Sequence, residues 1–231
     1  MSDPPAQPIH LSPQAELAER VLLPGDPRRA LLVAQALLES PRMFNTRRGL
    51  WGYTGRAADG GLVTVQATGM GGPSAAIVAS ELIALGARTL VRIGTCGALG
   101  AELALGTVAV VHEAIAADGA SRALGAEDRV AADPALTSLV DPSLPRVVAL
   151  STDLFYDVRE PADPEAHVVE MEAATLFALA ARQRVPAACI LGVTDQLAGG
   201  RVRIDDDELE QLGVRLGEVA LDALAAAVPA G

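Results

Sequence analysis

Residues 91–97 read Val-Arg-Ile-Gly-Thr-Cys-Gly and directly follow Thr89 and Leu90. The apolar run from Thr89 to Ile93 predicts a short buried strand that carries Arg92 and then ends at two glycines. A buried guanidinium needs a partner, because leaving it unpaired is costly, and glycines let backbone N–H groups approach a ligand closely. The stretch predicts a site for a small oxyanion such as phosphate. The alternative is a structural arginine paired with a buried carboxylate.

Short apolar runs alternate with helical patterns along the rest of the chain. The predicted strands are 21–23, 62–68, 89–93, 107–116, 146–151 and 187–193, and the predicted helices are 27–38, 75–85, 171–182 and 205–228. This alternation favours an α/β sandwich whose sheet is parallel in part. The length favours a single domain, 1–231, with an irregular N-terminal arm over 1–19 and a polar, irregular segment over 118–145.

The composition excludes several classes of function. All 18 basic residues are arginine, and the chain contains no lysine. This removes Schiff-base lysine chemistry and Walker-A phosphoryl transfer, so bound phosphate would rest on arginine forks and backbone amides. The net charge of −11 opposes general binding to nucleic acid or to an anionic membrane. A small anionic ligand stays compatible with this charge, because a few local arginines can hold it.

The cysteines and histidines are scattered. Cys96 and Cys189 have no metal-type spacing, and neither have His10, His112 and His167, so no metal site is expected. The cysteines are interpreted as reduced thiols of a cytoplasmic protein. The N-terminus lacks a signal-peptide pattern, and the apolar segments are too short to span a bilayer, so no membrane association is expected.

Two glycine-rich loops are candidate ligand sites. Residues 24–29, Pro-Gly-Asp-Pro-Arg-Arg, follow the first predicted strand, and the alternative to a ligand loop is an ordinary βα turn. Residues 69–74, Gly-Met-Gly-Gly-Pro-Ser, open a helix whose N-terminus attracts anions. The second loop is a poor dinucleotide fingerprint, because Pro73 and Ser74 occupy the place of the last glycine. A Rossmann cofactor site is therefore not favoured.

Two carboxylate motifs follow. Residues 169–174, Val-Glu-Met-Glu-Ala-Ala, place Glu170 and Glu172 around Met171 at the start of an apolar helix. A buried carboxylate beside a thioether suits a ribose, whereas exposed glutamates there would only complement the helix dipole. Asp195 follows Thr194 at the end of another buried run. It is either a general acid in a dry pocket or a cap for the next segment.

Taken in order, these motifs resemble the nucleoside phosphorylase family that contains the hexameric bacterial purine nucleoside phosphorylases and the uridine phosphorylases. The resemblance runs from about His10 to Asp195 and rests on the following stretches: 24–27, 47–49, 69–74, 92–97, 151–156, 169–174 and 194–195. It implies a three-layer α/β/α sandwich with a mixed central sheet, of the phosphorylase/hydrolase-like type. It also implies a pentosyltransferase of purine salvage that uses inorganic phosphate as co-substrate and no cofactor or metal.

The resemblance also implies a role for individual residues. Phosphate would contact Gly25, Arg29, Arg92 and Thr95, and Arg48 would reach it from a neighbouring subunit. His10 would likewise cross the interface toward the ribose 5′-hydroxyl, so that a dimer-based homohexamer would share its sites. Phe155 would pack on the base, Val169 and Glu170 would line the base pocket, and Met171 and Glu172 would hold the ribose. Asp195 would be the catalytic acid that protonates purine N7.

Two departures from the family pattern bear on the base. Purine enzymes of the family carry an arginine downstream of the aspartate, where this chain has Leu209, and Arg201 or Arg203 could substitute for it. The stretch between Tyr156 and Val169 is short and has Arg159 but no Gln-x-Arg pair, which favours purine over uracil. Residues 71–74 and 92–95 are closer to the uridine enzymes. Uridine phosphorylase and a non-catalytic nucleoside-binding protein therefore remain as alternatives.

Overall fold

The computed structural model describes residues 8–156 and 163–227, and within them it forms one eleven-stranded sheet flanked by helices. The strands are β1 (Arg20–Pro24), β2 (Glu39–Asn45), β3 (Gly52–Arg56), β4 (Leu62–Gln66), β5 (Thr89–Ala98), β6 (Val108–Ala117), β7 (Arg129–Ala131), β8 (Arg146–Thr152), β9 (Val168–Glu170), β10 (Ala187–Gln196) and β11 (Val202–Arg203). The helices are α1 (Pro27–Leu37), α2 (Gly72–Leu85), α3 (Gly119–Ala123), α4 (Pro134–Ser138), α5 (Ala173–Gln183) and α6 (Asp206–Ala226), with a 3₁₀ turn at Arg47–Gly49.

The sheet has an open part and a closed part that meet at β5. In the open part β1 lies parallel to β4 and β5, and β3 and β2 continue it in antiparallel pairs. In the closed part β5 pairs with β10, β10 with β6, β6 with β8, β8 with β9, and β9 again with β5. These five strands therefore form a ring. The first half of β5 lies between β1 and β10, and its second half lies in the ring.

Side chains alternate between two cores, one on each face of the sheet. Along β10, Cys189 and Leu191 enter the core beneath α2 and α5, whereas Ala188 and Ile190 enter the core beneath α1 and α6. Period-two alternation of apolar residues on both faces is the pattern of a strand covered by helices on both sides. The predicted α/β architecture with a mixed central sheet between helical layers is confirmed.

Local signals place the helix ends beside the ligand loops. Asp26 caps α1 by accepting hydrogen bonds from the backbone N–H groups of Arg28 and Arg29, with Pro27 at the first helical position. Asp205 and Glu208 form a reciprocal capping box at the start of α6. Because only Gly25 separates Asp26 from β1, this cap fixes where Arg29 lies relative to the end of that strand.

Several sequence-based boundaries were wrong. The glycine-containing residues 94–97 do not form a turn, since β5 continues through them to Ala98. Along these residues β5 changes partners, from β1 up to Ile93 to β9 at Gly97 and Ala98. Helix α2 begins at Gly72 rather than at residue 75. Strands β2 and β3 were missed, and the segment 118–145 contains α3, β7 and α4. These elements carry too few periodic apolar residues to be recognised.

None of the helices within residues 8–156 and 163–227 is long and apolar enough to cross a membrane.

Candidate active site

A cleft of about 1860 Å³ opens where neighbouring strands end. Strands β1, β4, β5 and β10 are mutually parallel neighbours, so their carboxyl ends face the same edge of the sheet. In open α/β sheets this edge is where ligands bind. All but two of the residues that the sequence suggested for the site line this cleft.

Arg92 lies on β5 at the floor of the cleft and is only 5% exposed. Its Nη2 donates to Glu172 Oε2 at 2.5 Å and its Nε donates to Glu170 Oε2 at 3.3 Å. Its Nη1 is buried without a hydrogen-bond partner among the described residues. Arg92 therefore has both of the roles that the sequence suggested. Two carboxylates hold its side chain in the core, and the N–H groups of Nη1 stay available to a ligand.

The electrostatics of Arg92 follow from these two carboxylates. Burial alone would lower the pKa of the guanidinium, but Glu172 and Glu170 outweigh it and raise the pKa above its usual value. Burial raises the pKa of Glu170, and nearby Glu172 raises it further against the opposing effect of Arg92. One cation between two carboxylates leaves a net negative charge at the floor, unless a further cation contributes.

Arg29 supplies that further cation. It lies in the first turn of α1, is 8% exposed, and its guanidinium has no hydrogen-bond partner among the described residues. Burial lowers its pKa, and the nearby charge of Arg92 contributes to the lowering. The adjacent Arg28 instead points outward and pairs with Glu210. Two buried guanidiniums with unused donors beside each other are suited to a dianion.

Two glycines shape the space around these arginines. A methyl group on Gly25 would lie 3.9 Å from Arg92 Nη1 and 3.3 Å from the carbonyl oxygen of Gly69, so Gly25 stands directly over the unused donor. A methyl group on Gly94 would lie 2.7 Å from Arg92 Nη2. Gly94 is thus needed to make room for the guanidinium, a different role from the close backbone approach to a ligand that the sequence suggested. Thr95 lines the cleft one residue further along β5.

Gly25, Arg29 and Arg92 together are called the anion-binding corner below. Glu172 connects this corner to the rest of the cleft. Its Oε1 accepts a 2.6 Å hydrogen bond from the backbone N–H of Gly71, while Oε2 binds Arg92. Met171 and Val169 line the cleft with partly exposed side chains. Glu170 points into the protein, where it accepts hydrogen bonds from Ser151 Oγ at 2.5 Å and from the backbone N–H of Ala173 at 2.9 Å. The Glu170 carboxylate thus anchors Arg92 and the start of α5.

Asp195 lies near the end of β10 and lines the same cleft. The pairing of β10 with β5 shifts register between Val193 and Asp195, which makes Thr194 the extra residue of a bulge. Bulges of this kind re-aim a side chain next to active sites. The Asp195 carboxylate is 5% exposed and accepts a 2.8 Å hydrogen bond from Thr194 Oγ1 at Oδ2.

Two arginines of the loop and strand after β10 reach the same carboxylate. Arg201 Nε lies 2.8 Å from Asp195 Oδ1, and Arg203 Nε lies 3.1 Å from it. The guanidinium carbon of Arg201 also stands 4.5 Å from the centroid of the Phe155 ring. Both arginines that the sequence offered in place of Leu209 therefore contact Asp195, while Leu209 itself lies on α6 and does not line the cleft.

Arg48 and His10 do not line the cleft of their own chain. Arg48 is exposed in the 3₁₀ turn with φ 59°. The Nδ1 of His10 is 2.8 Å from Glu81 Oε1 on α2. Arg159 lies outside the described residues. Sequence reasoning also missed the hydrogen-bonding roles of Ser151 and of the Gly71 backbone, which no local pattern signals.

Burial makes the thiol of Cys96 unreactive, because it raises the pKa of that thiol far above its usual value. Within residues 8–156 and 163–227, no group of three or more His, Cys, Asp or Glu side chains is arranged to hold a metal ion.

Comparison with known proteins gives a consistent picture. A sequence model described as "Phosphorylase superfamily" matches residues 19–228. A protein of Caldanaerobacter subterraneus subsp. tengcongensis named "Purine nucleoside phosphorylase DeoD-type" is 35% identical over 93% of this chain and 98% of its own length. Proteins with the same name from Clostridium beijerinckii and Roseobacter denitrificans are 35% and 36% identical, over 94% and 93% of this chain and 98% of each relative.

Proposed function

The chain belongs to the phosphorylase superfamily, and from this premise we propose that it cleaves purine nucleosides by phosphorolysis. The products are the free base and ribose or deoxyribose 1-phosphate. The observation that carries the proposal is the unpartnered, buried Nη1 of Arg92 beside Gly25 and Arg29, in one cleft with Glu172 and Asp195. The names of the relatives favour purines over uridine.

In this proposal the anion-binding corner positions phosphate, which is the nucleophile. Arg29 and Arg92 bind phosphate with their unused donors, helped by the Gly25 backbone and the Thr95 hydroxyl. A phosphate oxygen forms a bond to C1′ of the sugar while the C1′–N9 bond breaks and its electron pair moves into the base. The negative phosphate stabilises the oxocarbenium character of the transition state. Glu172 accepts hydrogen bonds from the 2′- and 3′-hydroxyls, and Met171 packs on the sugar.

The leaving base is protonated by Asp195. Asp195 donates a proton to purine N7, and the carboxylate that forms is stabilised by the guanidinium of Arg201, with Arg203 beside it. The proton that hydrogenphosphate loses overall balances the one that the base gains. Phe155, Val169 and the Glu170 backbone line the base pocket. The reaction uses inorganic phosphate as co-substrate and requires no metal or other cofactor.

The experiment that tests the function is a panel assay for release of free base. With inosine, guanosine, adenosine, 2′-deoxyinosine and uridine, we expect base release from the purine nucleosides that depends on added phosphate. Chromatography of the free base and of the sugar phosphate measures it. An unchanged rate without phosphate would identify a hydrolase, preference for uridine would identify a pyrimidine enzyme, and tight binding without turnover would identify a nucleoside-binding protein.

The proposal includes a homo-oligomer whose subunits share sites, built from dimers up to a hexamer. Arg48 and His10 lie outside the cleft of their own chain, which supports a role for them in the cleft of a neighbouring one. Exposed apolar side chains accompany them, including Ile9 at 72% and Ile77 and Trp51 at 41% exposure. Such exposed apolar groups are typical of interaction surfaces. We treat 1–231 as one domain of a cytoplasmic enzyme, supported by the single sheet and by two buried, unpaired cysteines.

Shared sites predict complementation between inactive variants. In a symmetric dimer of Arg48→Ala and Asp195→Asn chains, one of the two sites combines an intact Asp195 with an intact Arg48 from the partner. Random mixing by co-expression should therefore restore roughly a quarter of the wild-type activity. Turnover of the co-purified mixture is compared with that of each variant alone. Activity no higher than that of the separate variants would place Arg48 outside the neighbouring site.

A further inference from the structure

Glu81 on α2 binds the N-terminal arm through a concentration of hydrogen bonds. Its Oε1 accepts from the backbone N–H groups of Ile9 at 3.0 Å and His10 at 2.9 Å, and its Oε2 accepts from those of His10 at 3.0 Å and Leu11 at 2.7 Å. The imidazole of His10 adds a contact of 2.8 Å between Nδ1 and Oε1. Three consecutive amides of an irregular segment thus converge on one carboxylate.

Glu81 holds only the outer part of the arm, since the backbone N–H of Ser12 donates to Asn45 Oδ1 at 2.9 Å, that of Gln14 donates to the carbonyl oxygen of Phe44 at 2.8 Å, and Leu11 is buried at 1% exposure. Residues 8–19 form no helix or strand that would satisfy these amides. Partial burial opposes ionisation of Glu81, but the hydrogen bonds from His10, Leu11 and Ile9 outweigh it and lower the pKa of the carboxyl. The ionised carboxylate, which only accepts hydrogen bonds, matches a partner made of N–H donors.

This carboxylate also determines which ring nitrogen of His10 faces outward. Because Nδ1 contacts the acceptor Oε1, Nδ1 carries a proton, and in the neutral ring Nε2 is left as a hydrogen-bond acceptor. A carboxylate that orients a histidine through its second nitrogen is a recurrent way to fix both tautomer and ring direction. The acceptor that results is complementary to a hydroxyl group.

Helix α2 keeps His10 away from the cleft of its own chain. The helix starts at Gly72, next to the cleft loop, and Glu81 follows nine residues later, which is about 14 Å along the axis. The side chain of His10 is 30% exposed there. The imidazole is therefore partly accessible from outside, away from the cleft of its own chain, where a second copy of the chain can meet it.

We infer that Glu81 is a positioning residue for nucleoside binding: it holds residues 9–11 and orients His10, so that Nε2 is the acceptor available for the role that the family resemblance implies for His10, a contact with the ribose 5′-hydroxyl in a neighbouring subunit. This inference rests on the proposed function. Glu81 touches no substrate and acts through His10. A glutamine at this position turns one acceptor oxygen into an NH2 donor that would face backbone N–H groups, so Glu81→Gln should release the arm.

The test compares inosine with 5′-deoxyinosine, which lacks the hydroxyl in question. Glu81→Gln should raise the KM for inosine about 5–10-fold with little change in kcat, and should leave the KM for 5′-deoxyinosine unchanged. His10→Ala should do the same, and the double variant should be no worse than either single one. Glu218→Gln, an exposed glutamate on α6, is the matched control. Equal loss on both substrates, or additive losses, would overturn the inference.

A measurement on the wild-type protein covers the case in which the variant does not fold. Long-range ¹H–¹⁵N spectra of protein labelled at its three histidines report which ring nitrogen is protonated, with His10 assigned by His10→Ala. A ring protonated on Nδ1 with Nε2 unprotonated supports the inference, and a proton on Nε2 overturns it. Absence of phosphate-dependent turnover in the wild type would instead contradict the proposed function, so the two failures can be distinguished.

Discussion

Replacing Arg92 by leucine is expected to abolish phosphorolysis and to destabilise the fold. The substitution removes the unpartnered Nη1 donor and leaves the carboxylates of Glu170 and Glu172 buried without their shared cation. Breaking a buried pair by removing one partner typically costs about 3–5 kcal/mol. The loss of charged hydrogen bonds to phosphate should lower kcat/KM for phosphate by roughly a thousandfold. Phosphate titrations and urea-induced unfolding at equal protomer concentration measure the two effects.

A substitution at Arg29 separates the effect on phosphate binding from the effect on the stability of the fold. Arg29 is buried with no hydrogen-bond partner among the described residues, so Arg29→Leu should lower the midpoint of unfolding much less than Arg92→Leu does. It should still raise the KM for phosphate about 10–100-fold. Arg28→Leu, one residue earlier but facing solvent toward Glu210, is the control and should change neither quantity appreciably. A wild-type KM for phosphate in both buried-arginine variants would contradict the phosphate site.

Replacing Asp195 by asparagine is expected to lower kcat for inosine by about 10²–10⁴-fold. Asparagine keeps the size of the side chain and an oxygen for Arg201 and Arg203, but it has no acidic proton for purine N7. Pre-steady-state and steady-state assays with saturating phosphate measure the loss, which should fall on kcat more than on KM.

A nucleoside whose base leaves without protonation provides the control for Asp195. The base of 7-methylinosine already carries a positive charge at its methylated N7, so the asparagine variant should cleave it at close to the wild-type rate. If both nucleosides lose activity equally, Asp195 has a structural role and proton donation lies elsewhere.

The sequence predicted the central strands well because their apolar runs need no distant information. Strands β1 and β10 follow directly from residues 21–23 and 187–193. The continuation of β5 through Gly94 and Gly97 could not be recognised, because glycine ordinarily interrupts a strand and the continuation depends on pairing with distant β9 and β10. Strand β2 was missed for a similar reason: its first residues, Glu39, Ser40 and Pro41, carry no apolar alternation.

The site residues on strand ends were identifiable, whereas their partners were not. Arg92 was recognisable as a cation in an apolar run. The sequence offered a structural and a ligand-binding interpretation of it, and both apply in part: Nε and Nη2 bind carboxylates, and Nη1 has no partner among the described residues. The meeting of Arg201 and Arg203 with Asp195 depends on the pairing of β10 with β11, which has no sequence signal of its own. What Arg48 and His10 contact in an assembly depends on a second chain and cannot be read from one.

The hydrogen bonds between the strands of the closed ring fix the spacing of the side chains that these strands carry into the cleft. Ser151, Glu170 and Asp195 lie on β8, β9 and β10, which are paired on both sides within the ring, and Arg92 lies on the half of β5 that is paired with β1 and β10. An edge strand of an open sheet can slip by one step and break only one ladder of hydrogen bonds, but a ring has no edge strand, so any slip must break two. Arg92 and Asp195 are thereby kept at a constant separation by the pairing of β5 with β10, while the loops around them are free to vary in sequence and length.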